Sequence, residues 1–448
     1  MQAPCFHFYA GKNWLNDPNG LCQVDGWYHL YYQYNPHAAV WGDMHWGHAH
    51  SRDLLHWEHR PIAMAPALAL GEVHCFSGSC CLDAAGKPHF FYTSIGRQED
   101  HRDAADGAEQ WFAAPVHGDM DHLQQTREGA LTDALHAPKH LHDWRDPYVI
   151  PWQGGYLMTV GAQLDDAGCI ALYTSDDMQR WTYRGIALHH GTPDGKAWEC
   201  PNLFPLRDKM VLFYSPFAPA RYAVGTLDAA FRFHVEREGV LDPGGHRGFY
   251  APQTFRDAQG RQILLGWIPE DETLAAAGRT WRGMMSLPRI LTLENGDLMV
   301  RPLDTIDTLA AHWESHTLAS GKHHLTANGQ HVLLHAAFDH LTKPLCWTLL
   351  AGEKEQTTLT LTPTGELTLT LTHASLDPAY GKAPLTRHVP LREKHNEFFL
   401  AVDGTVVECM VNGQWLTGRA YPVCEDSGNL WVEAGDEVRV SMGGVREV

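Results

Sequence analysis

The stretch Asp17-Pro-Asn-Gly-Leu-Cys-Gln-Val-Asp-Gly-Trp-Tyr-His-Leu-Tyr-Tyr-Gln-Tyr34 sets an acid and a turn 11 residues ahead of an apolar strand that starts at Tyr28. The same arrangement returns twice. Asp146 stands 10 residues ahead of a strand at Tyr156, and Glu199 stands 11 ahead of one at Met210. Read as copies of one structural unit, the three acids occupy equivalent places, and the symmetry of the unit brings their carboxylates to one point. Carboxylates crowded together are costly to fold, so such a cluster points to a chemical use.

Working outward, apolar strands also run His89-Phe-Phe-Tyr-Thr-Ser-Ile95 and Gln262-Ile-Leu-Leu-Gly-Trp-Ile268. With those at Tyr28, Tyr156 and Met210, the five starts are 61, 67, 54 and 52 residues apart. A second marker travels with them: Ser51-x-Asp53-x-x-x-Trp57 recurs as Ser175-x-Asp177-x-x-x-Trp181, with weaker echoes around Asp119 and Asp228. Repeats of short strands at about this period predict a β-propeller, one blade per unit, hence five blades. An irregular β-sandwich would need two independent markers to agree by chance. A doubly wound α/β fold would need helical periodicity between the strands, which is nearly absent.

The pattern stops near Pro302. Period-2 alternation then resumes as Leu359-x-Leu361, a turn at Pro363-Thr-Gly365 and Leu367-x-Leu369-x-Leu371, and continues through Val402–Val411. The expectation is an all-β chain with a propeller over residues 1–303, a connector with a possible short helix over 304–316, and a C-terminal β-sandwich over 317–448.

Composition narrows the function. The chain has 448 residues, 44% of them hydrophobic and 19% charged, with no apolar run long enough to span a bilayer. A net charge of −19 argues against nucleic acid. Lys12, Asp17 and a turn fall where the apolar core of a signal peptide would lie, and the ten cysteines are scattered, so the expected setting is the reducing cytoplasm. Thirty histidines show no HExxH spacing, and no Cys/His spacing suggests zinc; no metal or cofactor is expected.

Each acid motif is bland alone. Asn16-Asp-Pro-Asn-Gly20 is a turn, Arg145-Asp-Pro147 an ion pair before a proline, and Glu199-Cys-Pro201 the start of a strand. Together, and accompanied by Trp14, Trp41, Trp46, Phe76, Trp144, Trp198 and Trp267, they suit a sugar, whose C–H faces stack on rings while its hydroxyls bond to acids. Cleaving a glycosidic bond takes two carboxyl groups, one to protonate the leaving group and one to attack or to activate water. A third can hold hydroxyls as charge develops.

Taken in order, Trp14-Leu-Asn-Asp-Pro-Asn-Gly20, Gln33-Tyr-Asn-Pro36, Trp46-Gly-His-Ala49, Phe76-Ser-Gly-Ser79, Arg145-Asp-Pro147, Trp198-Glu-Cys-Pro201, Phe249-Tyr-Ala-Pro-Gln-Thr-Phe255, Gly266-Trp267 and Ser286-Leu-Pro-Arg289 resemble glycoside hydrolase family 32. Val407-Glu-Cys-Met-Val-Asn412 resembles its sandwich signature, with Met410 where Phe is usual. The resemblance implies a retaining β-fructofuranosidase acting on sucrose, sucrose-6-phosphate or short fructans. It implies Asp17 as nucleophile, Glu199 as acid/base and Asp146 as transition-state stabiliser. Trp14, Asn16, Gln33, Trp41, Phe76, Ser77, Arg145 and Trp267 would shape the fructosyl pocket, and no cofactor is implied. The implied partner is a small carbohydrate; oligomeric state stays open.

One departure stands out. Many sucrose-cleaving relatives carry an acid just before the Phe-Tyr-Ala segment, where this chain has Gly248, so leaving-group choice falls to the rim: the loop from Asp242, His246, Arg247 and Gln98–Asp103. Lys12, Arg97, Arg102 and Arg247 are candidate phosphate contacts. Two other functions fit the same scaffold: a fructosyltransferase, and a non-catalytic carbohydrate-binding propeller that would have no need of three acids.

Overall fold

The computed structural model describes residues 3–97, 102–190, 196–270, 280–378, 380 and 383–445. Five antiparallel sheets come first, each made by a chain that zigzags outward from a leading strand. The leading strands are Asn13–Val24, Glu72–Leu82, His142–Trp152, Glu199–Leu206 and Tyr250–Arg256. They touch in cyclic order, the fifth returning to the first, so they line a closed ring. A short strand, Trp281–Arg282, pairs in parallel with Asn13 and Trp14 and adds a fifth strand to the first sheet.

Burial grades outward across each sheet. Gln262–Ile268, second in its sheet, is buried at every residue, whereas the outermost strand Phe233–Val240 exposes His234–Glu238. Strands covered on both faces read as unbroken apolar runs. This is why the five apolar runs of the sequence are the second strands, while the leading strands show up as polar motifs. Tight hairpins join them: Asp25–Gly26 and Gln153–Gly154 hold positive φ at both residues, as a two-residue turn matched to strand twist requires. The recurring Ser-x-Asp marker is the turn between third and fourth strands. Asp53 Oδ1 accepts the Leu55 and His56 N–H groups, and Asp177 Oδ1 accepts those of Gln179 and Arg180.

After a 3-10 turn at Ile306–Leu309, paired strand begins at Trp313, inside the span expected as connector. Two six-stranded sheets follow. Leu359, Leu361, Leu367 and Leu369 of one pack against Val332, Leu334, Leu400 and Val402 of the other. The opposite face of the latter sheet offers Leu333, Phe399, Ala401 and Trp415 to the core of the five-sheet body.

Buried charges tie the two bodies together. Arg289 reaches Asp242 at 3.3 Å and Glu408 at 3.4 Å, and its guanidinium lies 4.0 Å from the Trp415 ring and 4.3 Å from Phe249. Near the N-terminus, His7 Nδ1 sits 2.8 Å from Asp403 Oδ2, while the backbone N–H groups of Cys5, Phe6 and His7 all donate to that carboxylate.

Candidate active site

All five leading strands break their pairing at the same level. Two residues there oppose one on the second strand: Asn16–Asp17, Phe76–Ser77, Asp146–Pro147, Cys200–Pro201 and Ala251–Pro252. Such bulges bend a strand and re-aim its side chains. Asp146, Cys200 and Ala251 carry φ of 66°, 48° and 46°, left-handed values that cost non-glycine residues energy. The acids therefore do not occupy one repeat position. Asp17 is the second residue of its bulge, Asp146 the first of its own, and Glu199 comes just before its bulge. Counting from the next strand hid this, because a second register shift between Asn19 and Cys22 lengthens the first leading strand. The bulges bring the three acids together nonetheless.

Each acid has its own company. Asp17 Oδ2 accepts the Ser77 hydroxyl at 2.6 Å, and Asn16 also bonds to this carboxylate while its oxygen accepts Trp14 Nε1 at 2.8 Å. Asp146 Oδ2 accepts the Cys200 N–H at 2.9 Å, and its own N–H donates to Thr93 Oγ1 at 2.8 Å. The Cys200 thiol lies 3.5 Å from Asp17 and 3.6 Å from Asp146, so one residue touches both. Glu199 is clamped from two sides: Arg145 Nη2 donates to Oε1 at 3.0 Å and the Tyr250 hydroxyl to Oε2 at 2.7 Å. Behind this clamp, Arg145 also grips Asp143 at 2.5 Å, and the Phe217 N–H donates to the Tyr250 oxygen at 2.9 Å.

Burial dominates the electrostatics. It lifts the Asp17 carboxyl above its ordinary range, with Ser77 pulling back and Glu199 pushing further. Asp146 is pushed up to about 7 by burial and by its acidic neighbours, against the opposing pull of Arg145. Burial and the same three carboxylates drive the Cys200 thiol far up, so it stays protonated and can donate to them. Buried beside Asp17 and Asp146, a neutral thiol has no activation as a nucleophile.

Aromatic side chains wall the acids. Trp14 meets Trp267 edge-on at 5.8 Å, and Trp41, 53% exposed, meets Phe76 at 6.1 Å. Gln33 lies opposite the first bulge and donates to the Cys75 carbonyl at 2.9 Å. The structure thus gathers the expected acids and pocket residues on one end of the ring. Trp46, Trp144 and Trp198 are core: Trp46 Nε1 donates to the Phe76 carbonyl at 3.0 Å, and Trp198 stacks on Tyr214 at 4.1 Å.

The rim is settled differently. A Cβ at Gly248 would meet the Thr417 carbonyl of the second body at 1.9 Å, so no acid fits there. Arg247 donates to the Ala383 carbonyl, Arg102 is buried against Ser94 and Glu109, and Lys12 and Arg97 are exposed. Gln98–His101 of the expected rim lie outside the described residues. Sequence reasoning gave no role to Tyr250, Thr93, Asp143 or Phe217. Tyr250 alone left a signal, lying inside a matched motif as an apparently apolar residue.

Among the described residues, no group of three His, Cys, Asp or Glu could hold a metal, and no helix is long and apolar enough to cross a membrane. A family model described as the glycosyl hydrolases family 32 N-terminal domain matches residues 7–302. A sucrose-6-phosphate hydrolase of Zymomonas mobilis is 36% identical over 330 residues, which cover 68% of this chain and 63% of that protein. The chain therefore spans less than two thirds of that relative's length. A sucrose-6-phosphate hydrolase of Escherichia coli is 33% identical over 351 residues, 73% of this chain and 71% of that one. The solved fructan 1-exohydrolase IIa of Cichorium intybus, in complex with 1-kestose, superposes with a TM-score of 0.87 at 22% identity, covering 100% of this chain and 98% of that one. At that identity the likeness speaks for the fold.

Proposed function

The chain belongs to glycosyl hydrolase family 32, and we propose that it is a retaining β-fructofuranosidase that releases terminal fructose from sucrose, sucrose-6-phosphate or short fructans. The five sheets around a ring of leading strands are read as the five blades of a propeller over 1–303. Residues 304–316 are read as the connector, its last residues entering the first strand of the second body at Trp313, and 317–448 as the accompanying sandwich. The reading places the protein in the cytoplasm, where ten scattered thiols stay reduced.

One observation carries the assignment: Asp17 and Glu199 share a pocket, and each carboxyl group is fixed there by its own set of donors. Asp17 accepts bonds from a serine hydroxyl, an amide and a thiol, which favour a charged, attacking carboxylate. Glu199 is held by an arginine and a tyrosine that fix its orientation toward a leaving group. Asp146, half-way between charge states near neutral pH, binds fructosyl hydroxyls more tightly as the ring becomes cationic. Trp14, Asn16, Gln33, Trp41, Phe76, Ser77, Arg145 and Trp267 frame the fructosyl unit. Direct attack needs a carboxyl separation of about 5–5.5 Å, with Glu199 first giving and then taking a proton.

The test is a time-resolved NMR assay of sucrose cleavage. Fructose released first as the β-anomer supports the reading, whereas α-fructose first, or no cleavage of any fructoside, overturns it. The same spectra at high sucrose separate hydrolysis from transfer, since a fructosyltransferase accumulates oligosaccharides in place of free fructose.

A further inference from the structure

Resting on the fructosidase reading, we propose that Lys196, held on the face of Phe217, selects substrates whose leaving group carries a phosphate ester. If Glu199 protonates the glycosidic oxygen, the leaving sugar must lie against Glu199 and the groups that hold it. Those groups lead to Phe217. Its N–H bonds to Tyr250, which bonds to Glu199, and Arg145 lies 5.9 Å from its ring. Phe217 adopts φ of 57°, a conformation that a bulky residue keeps only where its surroundings demand it.

Among the described residues, the other cation on that ring is Lys196, whose Nζ lies 4.9 Å from the centroid. Arg145 is committed to Glu199 and Asp143. Lys196 is exposed, and among the described residues no carboxylate pairs with it. A ring face holds an ammonium in place without neutralising it. An uncommitted ammonium offers little to a neutral glucosyl unit, which needs donors and acceptors alike, but it suits a phosphate. The need is real here. A chain with net charge −19 repels an anionic sugar from a distance, so a phosphorylated substrate must be won by a local cation. Of the rim cations expected from the sequence, Arg102 is buried in an ion pair and Arg247 is turned to a carbonyl of the second body, while Lys12 and Arg97 stay exposed.

The experiment compares kcat/KM for sucrose-6-phosphate and sucrose in wild type, Lys196→Gln and Lys196→Arg. Wild type should prefer the phosphate, Lys196→Gln should lower that preference by about tenfold, mainly through KM, and Lys196→Arg should keep most of it. The wild-type preference should also weaken with added salt. A preference that Lys196→Gln leaves unchanged, or a wild type indifferent to the phosphate, overturns the proposal while sucrose cleavage keeps the fructosidase reading intact. A wild type that cleaves neither sugar nor a synthetic fructoside overturns both.

Discussion

Asp146 is the residue at which function most plainly opposes stability. An unfolded aspartate ionises near pH 4, whereas burial among acids pushes this one up to about 7. Between those values the folded protein binds the extra proton, so stability falls as pH rises through that window and the penalty is complete above it. Asp146→Asn should therefore raise the melting temperature at pH 8, by an amount equivalent to roughly 2–4 kcal/mol, with little gain at pH 4. Activity should be lost at both. Thermal unfolding across pH checks this, and an equal effect at pH 4 and 8 would remove the charge argument. Asp17→Asn should abolish turnover while the fold persists, since an amide cannot form a fructosyl ester; retained activity under conditions that exclude deamidation would end the nucleophile assignment. At this scale the three acid motifs were legible as polar interruptions of an otherwise apolar pattern, although the single repeat position that their spacing suggested is not the one they hold. Tyr250 was not, because a tyrosine in an apolar strand looks like core until its hydroxyl is seen to meet Glu199 at 2.7 Å.

The element that makes the site is the bulged leading strand, and its tolerances are steric. Gly161 lies across from Arg145, and a Cβ there would meet the Trp198 carbonyl at 1.9 Å. Gly161→Ala should cost roughly 2–4 kcal/mol, and because Trp198 precedes Glu199 it should lower kcat as well. Gly444, with open space around its Cβ direction, is the control: alanine there should change stability by less than about 0.5 kcal/mol. Denaturant melts of both variants decide the matter. The five apolar runs were legible as strands because burial on both faces leaves them almost wholly hydrophobic. The bulges were not, since a register shift between Glu199 and Asn202 depends on which residue of the neighbouring strand is opposite, and that is not a local property. The polar belt between leading strands was equally hidden. Gly78 N–H reaches Asn19, and Thr254 N–H reaches Asn202, between segments far apart in the chain.

Across the whole molecule, the joint between the two bodies is held by charge as well as by packing. Burial alone would pull His7 down, but Asp403 and Glu408 outweigh it and lift the imidazole to about 9. A raised histidine stabilises fully below its unfolded value near 6.5, and that stabilisation is lost as pH climbs through 9. His7→Gln should therefore lower the melting temperature at pH 6, by the equivalent of about 3 kcal/mol, and the gap from wild type should narrow towards pH 10. A gap constant with pH would mean that packing, not charge, accounts for the loss. The presence of a second all-β body was readable from its alternating leucines, but the clasp was not, because neither His7 nor Asp403 has a local feature that names its partner. The clasp also orders events in time. Its two halves are 396 positions apart, and the first sheet waits for Trp281–Arg282 to pair with Asn13 and Trp14. During synthesis on a ribosome, His7 and Asn13 emerge long before Asp403 and Trp281, so the first sheet keeps an unfinished edge until these later partners have been translated. Contacts this remote slow folding and prolong exposure to aggregation. Recombinant expression is accordingly expected to succeed with the two-body chain and to fail with the 7–302 segment, which would lose both carboxylates of His7 and uncover the apolar face that meets Leu333, Phe399, Ala401 and Trp415.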